Sequence, residues 1–112
     1  MTTLLPRDDD NHPIPALRLR PGGAHQLAAA TGASTRTATA FAADTRVIGV
    51  VSDVDIYLQT GDATVTASAT DHFLPAGLYA DLSLGGPGSR RDTHVAVRSL
   101  AEAGTVHVSE KV

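Results

Sequence analysis

Histidines are the side chains of this chain best suited to chemistry, because its 112 residues contain no cysteine that could act as a nucleophile or a thiolate ligand. A zinc site needs several converging ligands, at spacings such as i, i+4 on a helix or i, i+2 on a strand. The five histidines have no such spacing; they are His12, His25, His72, His94 and His107. The sequence therefore predicts no metal site, and histidines that are exposed or lie at an interface.

A Ser/His/Asp hydrolase site is the next chemistry to consider, because Asp71 and His72 are adjacent. The nucleophile of many such enzymes stands in a Gly-x-Ser-x-Gly turn, which this chain lacks, and the nearest serine, Ser68, lies in an ordinary Thr/Ala/Ser segment. The glycine-rich segment 85–89 lacks the Gly-Lys-Ser/Thr ending of a phosphate-binding loop. We therefore expect no enzymatic activity and no cofactor.

Charge and hydropathy favour neither nucleic acid nor a membrane as the main partner. The net charge is −3 and 19% of the residues are charged, with both signs mixed. The longest strongly apolar run, 47–51, is far shorter than the roughly 18 residues that a membrane span needs. The first residues lack the basic start and apolar stretch of a signal peptide. We therefore expect a chain made in the cytoplasm and used without Sec export.

The N-terminal residues 1–21 are predicted to form an extended arm. They hold four of the six prolines and the acidic triplet 8–10, and proline fixes φ while removing a donor from any strand ladder. At a polyproline rise of about 3.1 Å per residue, such an arm could reach on the order of 60 Å. The predicted organisation is therefore an arm at 1–21 and a single domain at 22–112.

The rest of the chain has the pattern of an all-β fold. Short alternating or apolar runs are separated by Gly, Asp and Ser at the intervals of an antiparallel sandwich or barrel. In the clearest run, Ile56 and Leu58 share one face while Tyr57 and Gln59 share the other. We predict a jelly-roll-like antiparallel β-sandwich or barrel. Its candidate strands are 24–29, 35–41, 46–52, 54–60, 64–68, 77–84, 93–100 and 105–109.

A thin core is the expected consequence of the composition. Aromatic residues make up 4% of the chain, so Val, Leu, Ile and Ala must fill the interior. Small domains lie at the low end of a stability range of about 5 to 15 kcal/mol. Open edge strands and a long arm both invite a neighbour, and closed rings are the usual way to satisfy a repeated interface. We therefore expect a ring-like homo-oligomer.

Three segments carry a family resemblance. They are Leu-Leu-Pro-Arg-Asp at 4–8 leading to Pro-Ile-Pro-Ala-Leu at 13–17, Thr-Asp-His-Phe-Leu-Pro-Ala-Gly at 70–77, and Ala-Gly-Thr-Val-His-Val-Ser-Glu at 103–110. The chain resembles the small virion structural proteins of tailed bacteriophages and gene transfer agents, and most of all the head-spike base proteins of gene transfer agents. The resemblance implies a capsid decoration or spike-base protein on the head surface, with the capsid protein and a spike or fibre protein as partners. It also favours a pentamer.

Residues for these contacts can be named from the sequence. We expect Arg7, Ile14, Leu17 and Arg18 to contact the capsid or a neighbouring subunit, and Tyr57, Tyr79, Arg90 and Arg91 to contact a fibre or a glycan. A carbohydrate-binding module is the alternative, although sugar sites usually need exposed aromatic rings and this chain has no Trp. A neck or tail protein of the same particle is a further alternative that the sequence does not separate.

Overall fold

A computed structural model describes residues 9–12, 16–85 and 90–112. In these ranges the chain is all-β and contains no helix, hence none long and apolar enough to cross a membrane. The predicted arm contacts Arg7 and Ile14 lie outside the described residues. The strands are β1 Leu19–Ala29, β2 Thr35–Arg36, β3 Val47–Ser52, β4 Ile56–Gly61, β5 His72–Leu74, β6 Ala80–Ser83, β7 His94–Ser99 and β8 Gly104–Lys111.

The eight strands form two antiparallel sheets that pack face to face. Sheet I has the order β1-β8-β3-β6, and sheet II has the order β2-β7-β4-β5. This is the strand order of a jelly roll, in which two Greek keys share the strands between two sheets. The prediction of a jelly-roll-like antiparallel sandwich is therefore confirmed.

The core lies between the sheets and consists almost entirely of aliphatic side chains. Because successive strand residues point to opposite faces, strands β1, β3, β4, β7 and β8 contribute alternate residues to it. Phe41 is the only aromatic side chain among the buried core residues, and it lies in the loop between β2 and β3. The core cluster is Leu27, Ala29, Phe41, Ile48, Val50, Ile56, Leu58, Leu74, Leu84, Val95, Val97, Val106 and Val108.

Strand β3 is central in sheet I, where it pairs with β8 on one side and β6 on the other. The apolar run at 46–51 predicts a strand covered on both faces, and this is wrong for the outer face. Ile48 and Val50 on the inner face are fully buried, whereas Val47 and Val51 on the outer face stay half-buried. The reason is that a two-layer sandwich covers only one face of each sheet.

The predicted strand at 64–68 is a loop. Asp62 accepts bonds from the backbone N and the hydroxyl of Thr64, and Asp71 accepts a bond from the backbone N of Ser68 at 2.7 Å. Such side-chain bonds to nearby backbone groups compete with a strand ladder. A strand, β5, forms instead at His72–Leu74, where the sequence favours a turn.

The sandwich begins earlier in the chain than predicted. Strand β1 starts at Leu19, so the predicted boundary after residue 21 falls inside this strand. Leu19 is opposite Lys111, and the register then shifts before Ala24 pairs with Ser109. Pro21 lies within this irregularity of an edge strand, which is where a sheet tolerates a missing donor. Strand β2, in contrast, covers only the first two residues of the predicted 35–41.

Candidate functional site

The described residues do not bring the histidines together. His72 and His107 are exposed on different sheets, and His94 is buried beside the hydroxyl of Thr93 at 2.8 Å. Asp71 of the Asp-His pair is engaged by Ser68 and by Gln59 Nε2 at 3.1 Å. Within residues 9–12, 16–85 and 90–112, no group of three or more His, Asp or Glu side chains could hold a metal ion.

The predicted contact residues of the arm that are described lie at the start of β1. Arg18 is exposed, and its backbone N and O are both bonded to Val112. Leu17 is half-buried and lies beside Val47, Asp81 and Lys111 on the outer face of sheet I. The chain therefore crosses the outer face of sheet I, beside β3 and β6, before it enters β1.

The two tyrosines predicted to contact a fibre or glycan lie on opposite outer faces of the sandwich. Tyr57 is on sheet II, where its ring centroid is 5.8 Å from that of Phe73. Tyr79 covers the outer face of sheet I at Gly49, with the ammonium of Lys111 4.8 Å from its ring centroid. A single ligand therefore cannot bridge the two rings along one face.

The two arginines of the same prediction have different roles. Arg90 is exposed and pairs with Asp92 at 3.1 Å. Arg91 turns inward, and its guanidinium donates to the carbonyl oxygens of Ala42 and Thr45. Arg91 therefore holds the loop between β2 and β3, while Arg90 is the one whose side chain faces solvent.

The close approach of Tyr79 to Gly49 gives a testable prediction. A methyl group in the variant Gly49→Ala would collide with the ring atoms of Tyr79, so the ring must swing away and lose its contact with Lys111. In the otherwise wild-type chain, the lost contact between Tyr79 and Lys111 should offset the stability that alanine gains over glycine in a strand. In a chain that already carries Tyr79→Ala, Gly49→Ala should raise the unfolding free energy by about 0.5 to 1 kcal/mol. A double-mutant cycle by urea denaturation measures the coupling, and an additive result would contradict the contact.

A buried carboxylate, which the sequence prediction missed, organises one end of the sandwich. Glu110 lies on the inner face of β8, the same face as Val106 and Val108, and its side chain is 5% exposed. Its Oε1 accepts bonds from Thr45 Oγ1 at 2.7 Å and from the backbone N of Ala42 at 2.9 Å. The carboxylate thus joins β8 to the loop between β2 and β3.

Strand β1 contributes the remaining members of this Glu110 cluster. His25 Nε2 is hydrogen-bonded to Glu110 Oε2 at 2.8 Å. Arg20 Nε donates to Thr45 Oγ1 at 3.0 Å, and the same guanidinium forms an ion pair with Asp44. Burial raises the pKa of Glu110, but the bonds from His25, Thr45 and the backbone of Ala42 together lower it below its ordinary value. Because both of its carboxylate oxygens are occupied by hydrogen bonds, we interpret this cluster as structural.

The inner faces of the two sheets are open to solvent along one side of the sandwich. An edge groove of about 400 Å³ runs between β5 and β6. His72 is on the inner face, opposite Leu58 in the ladder, and yet is exposed. Leu82 is also on the inner face and is only half-buried. The groove is lined by Leu58, Gln59, Thr60, His72, Phe73, Leu74, Ala80, Leu82 and Ser83.

Comparison with known proteins adds no relative to this description. No family model, no curated protein and no solved structure matches the chain. The strand order, the Glu110 cluster and the edge groove are therefore the observations on which a functional proposal rests.

Proposed function

We propose that the chain is a non-enzymatic structural protein of a phage-like particle, which binds at the head surface as a capsid decoration protein or as the base of a head spike. The observation that supports this most is the strand order β1-β8-β3-β6 and β2-β7-β4-β5, since viral capsid domains are among the proteins built on this jelly roll. A fold alone does not determine a function. The resemblance of the sequence to small virion proteins points in the same direction.

The local chemistry of the described residues fits a protein that acts by surface complementarity. Glu110, Asp71 and Arg91 are engaged in structural bonds, and an apolar groove opens at a sheet edge. In this proposal the protein is made in the bacterial cytoplasm and assembles into a homo-oligomeric ring, with five-fold order favoured. The ring joins the capsid protein to a spike or fibre protein, without nucleic acid or membrane as a partner.

Particles from a bacterial strain that encodes the chain provide the test. Mass spectrometry of purified particles should detect the protein, and a cryo-EM difference map against particles of a deletion strain should show density on the head. Density at the vertices would favour a spike base, and density across the capsid lattice would favour decoration. Density at the neck or tail would support the alternative position in the particle, and absence from the particle would contradict the proposal.

Carbohydrate binding remains the second candidate, on one observation. Phe73 is 50% exposed beside Tyr57 on the outer face of sheet II, and exposed aromatic rings stack on sugars. The two ring planes, however, are inclined by 59°, so they do not form a flat platform for successive sugar rings. The jelly roll also occurs in lectins, and the site of this alternative would be Phe73 with Tyr57 rather than Tyr79.

A further inference from the structure

The edge groove is an apolar surface that the described residues leave open. Leu58 and Leu74 form its floor as buried core residues, and Leu82 of β6, also on an inner face, is half-buried beside them. A side chain that entered here would extend the hydrophobic core instead of resting on the surface. The groove therefore suits aliphatic side chains.

The strands that flank the groove also offer unpaired backbone groups. In the described residues β6 pairs only with β3, and β5 pairs only with β4. Such edges accept an extended segment, whose main chain bonds to the edge while alternate side chains enter a pocket. The edge and the groove together therefore fit an extended segment that carries aliphatic residues.

The chain itself contains a segment of this kind. Fifteen residues precede Ala16, and among them Leu4 and Leu5 are adjacent aliphatic side chains. Ala16 and Leu17 lie beside Val47 and Asp81 on the outer face of sheet I. The N-terminal residues thus enter the fold on the sheet whose edge strand, β6, borders the groove.

The length of this segment allows it to reach the groove of a second copy. Leu5 precedes Ala16 by 11 residues, and the prolines at 6, 13 and 15 favour extended backbone. At about 3.1 Å per residue, a fully extended stretch would span about 34 Å, and the turn at residues 9–11, with φ 63° at Asn11, shortens this path. Strand β6 is adjacent to β3, at an inter-strand spacing of about 4.8 Å, so the segment is long enough to go past its own groove and reach that of a neighbouring copy.

From these observations we propose that Leu4 and Leu5 of one copy occupy the edge groove between β5 and β6 of a neighbouring copy. This inference rests on the self-association in the proposed function and deepens it, because it names the contact that joins the subunits. Each subunit both gives a segment and receives one, which is a head-to-tail interface, and such an interface forms a ring when the rotation between successive copies closes. The negative residues at 8–10 lie between this segment and the domain, where they can remain in solvent.

Cysteine crosslinking tests the contact directly, because the native chain has no cysteine. One protein carries L5C and a second, distinguishable by mass, carries L82C. They are mixed at roughly 1 mM, where even weak association populates the complex, and are oxidised with diamide. A disulfide requires Cβ atoms about 3.8 Å apart, so a covalent dimer of the two different chains is expected.

A matched control separates this contact from random collision. Gln26 is exposed on the outer face of β1, at the opposite edge of sheet I, so L5C mixed with Q26C should give little dimer. Equal yields from the two mixtures, or no dimer from L5C with L82C, would overturn the inference. Circular dichroism establishes first that each variant is folded.

The doubly substituted chain distinguishes exchange between copies from occupation of a chain's own groove. L5C/L82C should give ladders or closed rings, and a crosslinked monomer as the main product would overturn the inference. Deleting residues 1–8 should weaken self-association by about tenfold or more, since burial of even one leucine is worth that much. If the chains crosslink but the protein is absent from particles, the proposed function is contradicted and this inference stands. If the protein is found in particles but the chains do not crosslink, this inference is contradicted and the proposed function stands.

Discussion

The variant Glu110→Ala should lose about 3 to 5 kcal/mol of unfolding free energy, the usual cost of removing one member of a buried charged cluster. The loss is large because Glu110 is hydrogen-bonded to three residues from two other parts of the chain: His25 on β1, and Thr45 and the backbone of Ala42 in the loop between β2 and β3. Such a loss is a large part of the stability of a small domain, which is about 5 to 15 kcal/mol. Urea denaturation at neutral pH measures it.

Glu102 provides the matched control for this prediction. It is the other glutamate of the chain, and it is exposed in the turn between β7 and β8. Glu102→Ala should change the unfolding free energy by less than about 0.5 kcal/mol. Similar losses from the two variants would show that Glu110 does not hold the end of the sandwich as its contacts indicate.

The pH dependence gives a second check of the same cluster. The pKa of Glu110 is lowered in the folded protein from its ordinary value of 4.5, because the bonds from His25, Thr45 and Ala42 outweigh the opposing effect of burial. A carboxyl with a depressed folded pKa contributes stability that is present above the unfolded pKa and is lost as the pH falls through the folded pKa. The stability difference between wild type and Glu110→Gln should therefore shrink as the pH falls below about 5.

Comparison with Glu110→Gln is needed because other carboxyl groups titrate in the same range. Bonds from Thr64 lower the pKa of Asp62, and bonds from Ser68 and Gln59 lower that of Asp71. These groups contribute equally to wild type and variant, so they cancel in the difference. A difference that stays constant down to pH 3 would indicate that ionisation of Glu110 does not contribute.

The fold class could be predicted because alternation is a local property of the sequence. Ile56 and Leu58 against Tyr57 and Gln59 identify the inner and outer faces of β4, and the structure confirms both faces. The valines of β7 and β8 give the same information. The strand prediction at 64–68 is wrong because Thr and Ser suit a strand as well as a turn, and the nearby Asp62 and Asp71 decide between them.

The Glu110 cluster and the edge groove depend on tertiary structure to different degrees. Alternation from Val106 through Val108 reaches the inner face at Glu110, so extending the predicted strand by one residue would have placed this carboxylate in the core. Its partners are 65 to 85 residues away in the chain, and no local pattern identifies them. The groove exists because β5 and β6 are both edge strands, which only the strand order reveals.

The second large effect is expected at the centre of sheet I. Ile48 is fully buried on the inner face of β3, so Ile48→Ala should lower the unfolding free energy by about 2 to 5 kcal/mol, through lost burial and the cavity that remains. Val51→Ala is the control in the same strand, because Val51 is half-buried on the outer face, and it should lose about 1 kcal/mol or less. Urea denaturation of both variants measures the asymmetry. Equal losses would mean that another layer covers the outer face of sheet I in solution. If that layer were a second copy of the chain, both losses would depend on protein concentration. If subunits are joined only through the β5–β6 edge, Val51→Ala should cost little at every protein concentration.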